Sequence, residues 1–211
     1  MSVASQPLSP ARTAPRGRQG ERKSDRTRRR VLAAAKHLFD RRGYRDTTVD
    51  DITRRAEIAH GTFYLYFRGK SEILSELSVA ALAEFDSIAT REFQTREEVV
   101  SLVRQTLEAY QRNRLTMRLL REASATDAHF REHYDEVFLG TLVDHLRHNV
   151  ERINAGLPAA DRIDARAAAR AIVGMIESFA YGISVGGEKF TIDEAVEVLS
   201  TVCIRATGMG R

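Results

Sequence analysis

Apolar residues recur at spacings of three and four along most of this chain, and this pattern predicts helices. From Ser71 onward no stretch shows the alternation that is typical of a strand. The stripes predict a long helix beginning near Lys70, followed by helices near residues 99–110, 115–122, 127–154, 165–185 and 192–208. Together with shorter helices before residue 70, the pattern predicts an all-α protein of about nine helices.

The densest pattern lies in residues 26–70, where it predicts three short helices that share one core. The first carries an apolar stripe and stops at Gly43. Thr47 and Thr48 precede the second helix, and either hydroxyl can cap it. The third helix begins near Ala59, after a tight corner. Two short helices joined by such a corner are typical of a helix-turn-helix, whose second helix lies in the major groove of DNA.

From Thr27 to about Glu76 the chain resembles the TetR family of bacterial transcription regulators. The positions that carry the resemblance are Phe39, Gly43, Tyr44, Thr47, Thr48, Val49, Ile52, Ala56, Gly61, Thr62, Phe63, Tyr64, Tyr66, Phe67 and Lys70. Two positions depart from the family pattern. Glu57 stands in the corner where the family often has Gly, and Ala59 stands where the family often has a capping Ser or Thr.

A set of polar and small residues around the predicted corner is expected to contact DNA. Gly61 lets backbone approach backbone, and the Thr62 and tyrosine hydroxyls can donate to phosphate oxygens. Lys70 and Tyr66 are expected to meet phosphate. The full set of expected contacts is Thr27, Thr47, Thr48, His60, Gly61, Thr62, Tyr64, Tyr66 and Lys70.

Charge divides the chain into two unequal parts. Residues 1–70 carry 17 Lys and Arg against 7 Asp and Glu, whereas residues 71–211 carry 16 against 22. The resulting balances of +10 and −6 sum to the formal net charge of +4. A basic first third joined to an acidic remainder indicates that only the first part faces nucleic acid.

Residues 1–24 hold three of the four prolines and five basic residues, with almost nothing apolar. This composition predicts a disordered arm, which either follows the phosphates and minor groove of DNA or simply adds affinity without specificity. The expected boundaries are therefore an arm at 1–24, a helix-turn-helix domain at 25–70, and an effector-binding and dimerisation domain at 71–211. The single cysteine, Cys203, and the lack of an apolar run of about 20 residues favour a cytoplasmic protein without a membrane span.

The resemblance implies that a small molecule binds among the middle helices and favours a conformation that no longer fits the operator. Apolar candidates outnumber polar ones there, so a hydrophobic or acyl-type effector is expected. The candidate pocket residues are Phe85, Tyr110, Arg114, Met117, Arg118, Tyr134, Phe138, His145, Glu177 and Tyr181, with Phe93, Phe130, Leu142 and Phe179 as further apolar candidates.

The last two predicted helices combine small and large apolar residues at helical spacing. Their stripes are Ala168, Ile172, Met175, Ile176, Phe179 and Ile183, and then Ala195, Leu199 and Val202. The pattern alone leaves open whether they form an intrachain core or a dimer, whereas the resemblance implies a homodimer through these helices. Such a dimer would present two recognition helices to a palindromic operator, and the resemblance implies a repressor.

Two other functions are alternatives to a ligand-responsive regulator. His129 and His133, and likewise His145 and His148, are spaced to share a helix face and bind a metal, but each pair needs ligands from elsewhere. A non-specific DNA-packaging protein would leave the acidic second domain unexplained. No phosphate loop, nucleophile elbow or zinc hydrolase spacing is present, so neither an enzyme nor a cofactor is expected.

Overall fold

The computed structural model of the chain describes residues 17–209. The predicted arm therefore lies outside the described residues up to residue 16, and its remainder belongs to the first helix, which begins at Gly17. The structure places residues 17–24 in this helix, where the sequence pattern predicts an irregular arm. The physical reason is that this stretch is rich in Arg, Gln, Glu and Lys, whose straight side chains favour a helix even without an apolar stripe.

Every regular element in residues 17–209 is helical. The α-helices are α1 (Gly17–Arg42), α2 (Val49–Ala56), α3 (His60–Phe63), α4 (Lys70–Ala89), α5 (Arg96–Arg112), α6 (Arg114–Thr126), α7 (Ala128–His133), α8 (Gly140–Ala155), α9 (Ala165–Tyr181) and α10 (Ile192–Thr207). A π turn at Tyr134–Leu139 joins α7 to α8 without a break, a second extends α9 over Gly182–Gly186, and a 3₁₀ turn covers Ala159–Asp161. Because α7 and α8 form one continuous helix, the described residues hold nine separate helices, and the predicted all-α class is confirmed.

Local hydrogen bonds determine where several helices begin. In three capping boxes a Thr hydroxyl accepts the N–H three residues further on, and the acidic side chain there accepts the Thr N–H. The pairs are Thr48 with Asp51 on α2, Thr95 with Glu98 on α5, and Thr191 with Glu194 on α10. The pKa of each of these carboxyl groups is lowered mainly by hydrogen bonds from the Thr or the adjacent backbone. Of the two predicted caps for α2, Thr48 is the one used.

Helix α4 belongs to both domains. Its first turns bury Ile73 and Leu74, and it contacts α1 there in the core of the amino-terminal helices. Its last turns bury Phe85 and Ile88 in the larger domain, where it also packs against α5, α6 and α8. The rest of the larger domain is built by α9 packing on α8 and by α10 packing on α5. One rigid element thus connects the two halves of the chain.

The 28-residue stretch Ala159–Gly186, which contains α9, includes an 18-residue window with a mean hydropathy of 1.2, and by length and composition alone it could cross a membrane. The sequence pattern predicts no such span. Helix α9 packs against α5, α8 and α10, yet only 22% of the most apolar part of the stretch is buried in the protomer. The helix therefore presents a surface of small and apolar residues that the rest of the chain does not cover.

Candidate nucleic-acid interface and ligand cavities

The corner between α2 and α3 orients the predicted recognition helix. Ile52 and Ala56 of α2 and Phe63 of α3 are buried in the shared core, so the opposite side of α3 faces outward. Glu57 turns the chain in the left-handed conformation, with φ at 50°. Ala59 is the N-cap of α3 and its side chain provides no capping hydrogen bond. The helix-turn-helix geometry thus forms despite both departures from the family pattern.

The outward side of this corner exposes His60, Gly61, Tyr64 and Leu65. Tyr64 is 54% exposed and Leu65 is 80% exposed. No atom lies within 4 Å of the position that a Cβ on Gly61 would occupy. The His60 Nδ1 atom lies 2.7 Å from Asp50 Oδ1, and the His60 and Tyr64 ring centres are 5.3 Å apart. An open face of this kind can enter a major groove.

The other expected DNA contacts fall into two groups. Thr48 is exposed, whereas Thr27, Thr62 and Tyr66 are half-buried. Thr47 is fully buried, and its hydroxyl donates to the Gly43 carbonyl at 2.8 Å. The expectation that the Thr47 side chain meets DNA is therefore corrected, since its only polar atom is used inside the loop between α1 and α2.

Lys70 has a structural role in the same loop. Its Nζ atom donates to the carbonyl oxygens of Tyr44 at 2.7 Å, Thr47 at 2.9 Å and Arg45 at 3.3 Å. It also lies 4.3 Å from the centre of the Tyr44 ring, and burial lowers its pKa. An ammonium group has three donors, and all three are engaged. The expected phosphate contact of Lys70 is therefore corrected, because this side chain holds the loop to the start of α4.

Arginines at the end of α1 and in α2 supply positive charge that the residue-by-residue prediction left out. Arg42 lies 3.7 Å and Arg54 3.5 Å from Asp51. Partial desolvation and the charges of Arg55 and Arg41 lower the pKa of His37. The charge balance of residues 1–70 predicted a basic surface, but it could not say which arginines form that surface. Nothing in the sequence pattern indicated that Leu65 would be exposed.

Tyr44 connects the amino-terminal helices to the larger domain. Its N–H donates to Glu122 Oε2 at 2.8 Å, and its hydroxyl donates to Asp127 Oδ2 at 3.5 Å. Its ring centre lies 6.4 Å from that of Phe130, and burial raises the pKa of its hydroxyl well above the ordinary value. Gly43 has φ at 81°, and a Cβ on it would lie 2.7 Å from a Glu122 carboxylate oxygen. The glycine permits this close contact between the domains.

An apolar cavity of about 130 Å³ lies in the larger domain. Its walls come from α4, α5, α8, α9, α10 and the first π turn, and the predicted pocket residues Phe85, Phe93, Tyr110, Phe138, Leu142 and Glu177 line it. The Asn149 amide, one of its few polar lining groups, already accepts the Phe93 N–H at 3.2 Å. Burial raises the pKa of Cys203, a further lining residue, to about 11, so its thiol is protonated. The cavity is suited to an apolar guest.

A second, more polar cavity of about 260 Å³ adjoins the first. Tyr110, Leu139 and Glu177 line both cavities, and the predicted residues Met117, Tyr134 and Tyr181 line the second. Burial raises the pKa of Glu177 and, much further, those of the Tyr110 and Tyr134 hydroxyls. The predicted pocket residues thus divide between two adjacent cavities. The polar groups that sequence reasoning missed here are Arg121, Ser124, Arg131, Asp135, Arg170 and Ser178.

Three predicted polar anchors line neither cavity. Arg114 is exposed, Arg118 Nε lies 3.7 Å from a Glu122 oxygen, and His145 Nε2 lies 3.3 Å from Asp86 Oδ1. The aromatic candidates Phe130 and Phe179 also lie elsewhere. The sequence could not exclude these residues, because the position of a residue on a helix does not by itself say which neighbouring helix covers it.

Within residues 17–209 the described side chains hold no group of three or more His, Cys, Asp or Glu placed to bind a metal. His148 Nδ1 lies 2.7 Å from the Asp144 carbonyl oxygen of its own helix. The side chains of the other proposed pair, His129 and His133, lie outside the described residues. No observation therefore favours the metal-sensing alternative.

Comparison with known proteins gives matches to both the sequence and the fold. Residues 31–77 match the family model of bacterial regulatory proteins, tetR family. Over 74 residues the chain is 36% identical to the HTH-type transcriptional regulator EthR of Mycolicibacterium smegmatis, an alignment that covers 35% of this chain and 34% of EthR. The matches to the first curated relatives span between 24% and 34% of their length.

The likeness to solved structures extends over most of the chain. A TetR-family regulator from Syntrophomonas wolfei has a TM-score of 0.68 at 22% identity, covering 88% of this chain and 97% of that one. FadR from Bacillus subtilis, solved in complex with stearoyl-CoA, has a TM-score of 0.62 at 19% identity, covering 84% of this chain and 98% of that one. At these identities the likeness shows the fold.

An exposed recognition helix on a three-helix domain, carried by an all-α body, defines the helix-turn-helix class of DNA-binding proteins. Residues 31–77 match the TetR family of bacterial regulatory proteins, and the fold of the chain is similar to that of solved TetR-family regulators. The curated relatives and the solved neighbours are transcriptional regulators.

Proposed function

We propose that this protein is a sequence-specific transcription regulator that binds DNA as a homodimer and responds to a hydrophobic, acyl-type ligand. The observation that carries the proposal is that α4 links an exposed recognition helix to an apolar cavity. Its amino-terminal end packs under the helix-turn-helix, and Phe85 near its other end lines the cavity. A ligand that changes the packing around Phe85 therefore acts on the same rigid helix that packs against α1 of the amino-terminal helices.

The dimer interface in this proposal is formed by α9 and α10. Several members of the predicted stripes are used inside the protomer, since Ile172, Ala195 and Leu199 are all buried there. The exposed apolar residues of α10 are Val202 of the predicted stripe, 42% exposed, and Val198 one helical turn before it, 54% exposed. On α9 the exposed small residues are Ala167, Ala171 and Ser178. Such a surface on two adjacent helices is suited to burial against a second copy of itself.

Charge placed on this surface tests the dimer. We expect the double variant Val198→Glu and Val202→Glu to sediment as a monomer at low micromolar concentration, because two buried carboxylates would oppose association. The matched control is Val79→Glu on α4, where a valine 62% exposed lies outside both helices. Sedimentation equilibrium measures the mass of each protein. A double variant that remains dimeric would place the interface elsewhere.

The ligand half of the proposal is supported by the apolar cavity and by the neighbours. FadR of Bacillus subtilis shares the fold and was solved with stearoyl-CoA. We infer a ligand with an acyl chain in the apolar cavity and a repressor that leaves its operator when the ligand binds. The ligand acts through its different affinities for the DNA-bound and the free conformation. We also propose that this regulator is located in the cytoplasm, where the DNA of its operator lies.

Selection of bound duplexes from a random pool, at about 150 mM salt, tests the DNA half of the proposal. We expect one palindromic consensus, with an affinity at least about 1,000-fold above that for random duplex. His60→Ala and Thr62→Ala should change which bases are preferred, since both residues lie on the recognition helix. Recovery of no consensus would instead support non-specific packaging.

A further inference from the structure

The polar cavity beside the apolar one, called the polar chamber below, is lined by three arginines and two carboxylates. They are Arg121, Arg131, Arg170, Asp135 and Glu177. In the part of the chain that the structure describes, none of these side chains belongs to an ion pair within 4.0 Å. Arginines that gather around one space normally pair with the acids there. Here the guanidinium donors remain available to a guest.

The arginines are held by contacts other than ion pairs. The Arg121 guanidinium carbon lies 4.1 Å from the centre of the Tyr181 ring, a cation–π contact. The Arg170 Nη1 atom lies 3.4 Å from the point where a Cβ on Gly174 would be, so the Arg170 side chain runs along its own helix next to Gly174. All three arginines are exposed residues and therefore form the rim of the chamber on its solvent side.

A buried hydroxyl in the chamber also lacks a partner. Ser124 lines the chamber, and its Oγ atom is buried without a hydrogen-bond partner. An unpaired buried hydroxyl costs free energy, and such groups in folded proteins usually bond to a ligand, water or neighbour. The Ser124 hydroxyl can donate to an acceptor that enters from the rim.

The two cavities lie side by side and share part of one wall. Tyr110, Leu139 and Glu177 line each cavity, so only these side chains separate the arginine rim and its chamber from the apolar space. The π turn Tyr134–Leu139 supplies Tyr134, Asp135 and Leu139 to the chamber. Turns of this kind inside helices frequently mark functional sites, because the extra residue shifts side chains out of the regular helical register.

We propose that the polar chamber binds the anionic head group, a carboxylate or a phosphate, of an amphipathic ligand whose apolar chain occupies the adjoining cavity. Arg121, Arg131 and Arg170 neutralise the head group at the rim, and Ser124 donates to it. The inference rests on the proposed function, because that function identifies the apolar cavity as the effector site. The head-group proposal goes beyond that function in one respect, since it implies that a neutral apolar molecule binds this site weakly.

The chamber favours an anion over a cation for two reasons. Three guanidinium groups outnumber two carboxylates, and one of those, Glu177, lies at the junction with the apolar cavity, where burial favours its neutral form. Planar guanidinium groups also match the paired oxygens of a carboxylate or a phosphate, which gives the site a geometric preference as well as an electrostatic one.

The test measures binding of four compounds with the same dodecyl chain to the full-length protein by titration calorimetry without DNA. The compounds are dodecanoate, dodecyl phosphate, dodecanol and dodecyltrimethylammonium. We expect the two anions to bind at least about tenfold more tightly than dodecanol, and the cation to bind most weakly. Tighter binding of the phosphate than of the carboxylate assigns a phosphate-bearing head group, and the reverse assigns a free acid.

Variants then locate the head group. Arg121→Gln and Arg170→Gln should each weaken the anions about tenfold and leave dodecanol unchanged, because only a charged head uses these side chains. The matched control is Arg114→Gln, an exposed arginine on α6 that lines neither cavity. The affinity of the anions should also fall as the salt concentration rises, since the rim is exposed to solvent.

The possible outcomes separate this proposal from the proposed function. If dodecanol binds as tightly as dodecanoate, or if Arg170→Gln weakens both equally, the head-group proposal is overturned while the apolar effector site stands. If the anions bind with the expected preference but leave operator affinity unchanged, the head-group site stands and the effector role fails. If none of the four compounds binds, the proposal is overturned, and duplex selection alone decides the regulator function.

Discussion

At the scale of single residues, Lys70 shows how one side chain changes role once its neighbours are known. Its spacing after the recognition helix favours a phosphate contact, yet its ammonium group donates to three carbonyl oxygens between Tyr44 and Thr47. Those acceptors are 23 to 26 positions away in the chain. Sequence spacing could not reveal them because the loop folds back on α4 only in the complete domain.

We expect Lys70→Met to destabilise the protein rather than only weaken DNA binding. Removing the ammonium leaves partly buried carbonyl groups without a donor, which costs about 1–3 kcal/mol. Urea unfolding measures this, with Lys36→Met as the control, because Lys36 makes only an exposed pair with Asp40 and should change stability by less than about 0.5 kcal/mol. An unchanged free energy of unfolding together with weaker DNA binding would restore the phosphate role.

Glu177 gives a prediction on pH. Burial raises its pKa, the charges of Arg121 and Arg170 oppose that rise, and Asp135 adds to it. Below the unfolded pKa both states carry the proton, so the favourable contribution of neutral Glu177 is fully present. It is lost as pH rises through the higher pKa of the folded state, because the folded protein must then hold a desolvated carboxylate.

Glu177→Gln should therefore raise the melting temperature at about pH 7.5 and have little effect at about pH 4. Scanning calorimetry at both pH values measures the difference, and Glu197→Gln, at an exposed position on α10, is the control. A variant that melts below the parent protein at the higher pH would mean that the carboxylate makes net stabilising contacts with the neighbouring arginines.

At the scale of elements, the caps and corners explain why these helices have their present bounds. Capping boxes begin α2, α5 and α10, and a left-handed Gly208 ends α10. These signals are local, so the positions of most helices could be predicted from the sequence. The corner before α3 was predicted as well, although Glu57 adopts there a backbone conformation that normally favours glycine.

Glu57→Gly should raise the free energy of unfolding by about 0.5 kcal/mol, because relief of the left-handed strain exceeds the extra chain entropy of glycine. The exposed pair between Glu57 and Arg30 contributes little. Glu57→Ala is the matched variant, since it removes the same carboxylate and keeps the strain. Chemical denaturation of all three proteins gives the comparison. A glycine variant less stable than the alanine variant would contradict the assignment of strain.

At the scale of the whole molecule, a row of aromatic rings connects the helix-turn-helix to the apolar cavity. Successive ring centres lie between 4.9 and 6.4 Å apart. The rings, called the aromatic row, are Phe39, Tyr44, Phe130, Tyr134, Phe138, Phe85 and Tyr110. Phe130, which sequence reasoning assigned to the pocket, instead lies between Tyr44 and Tyr134.

If the ligand acts through this packing, Phe130→Leu should reduce the ratio of operator affinities without and with dodecanoate by at least about threefold. The smaller side chain keeps an apolar residue in place but loses both ring contacts. Fluorescence anisotropy with the selected operator measures the ratio. Phe190→Leu is the control, because Phe190 is 52% exposed and lies outside the row. An unchanged ratio would show that the row carries no coupling.

The sequence by itself determined the class of fold and the helix-turn-helix, because periodicity, caps and turns depend on residues a few positions apart. Only the tertiary structure decided which polar side chains are free. Tyr44 and Glu122 meet across 78 positions, and the arginine rim gathers side chains from α6, α7 and α9. Burial and charge pairing at such sites depend on how separate helices pack, and that packing is not encoded in any local stretch of the chain.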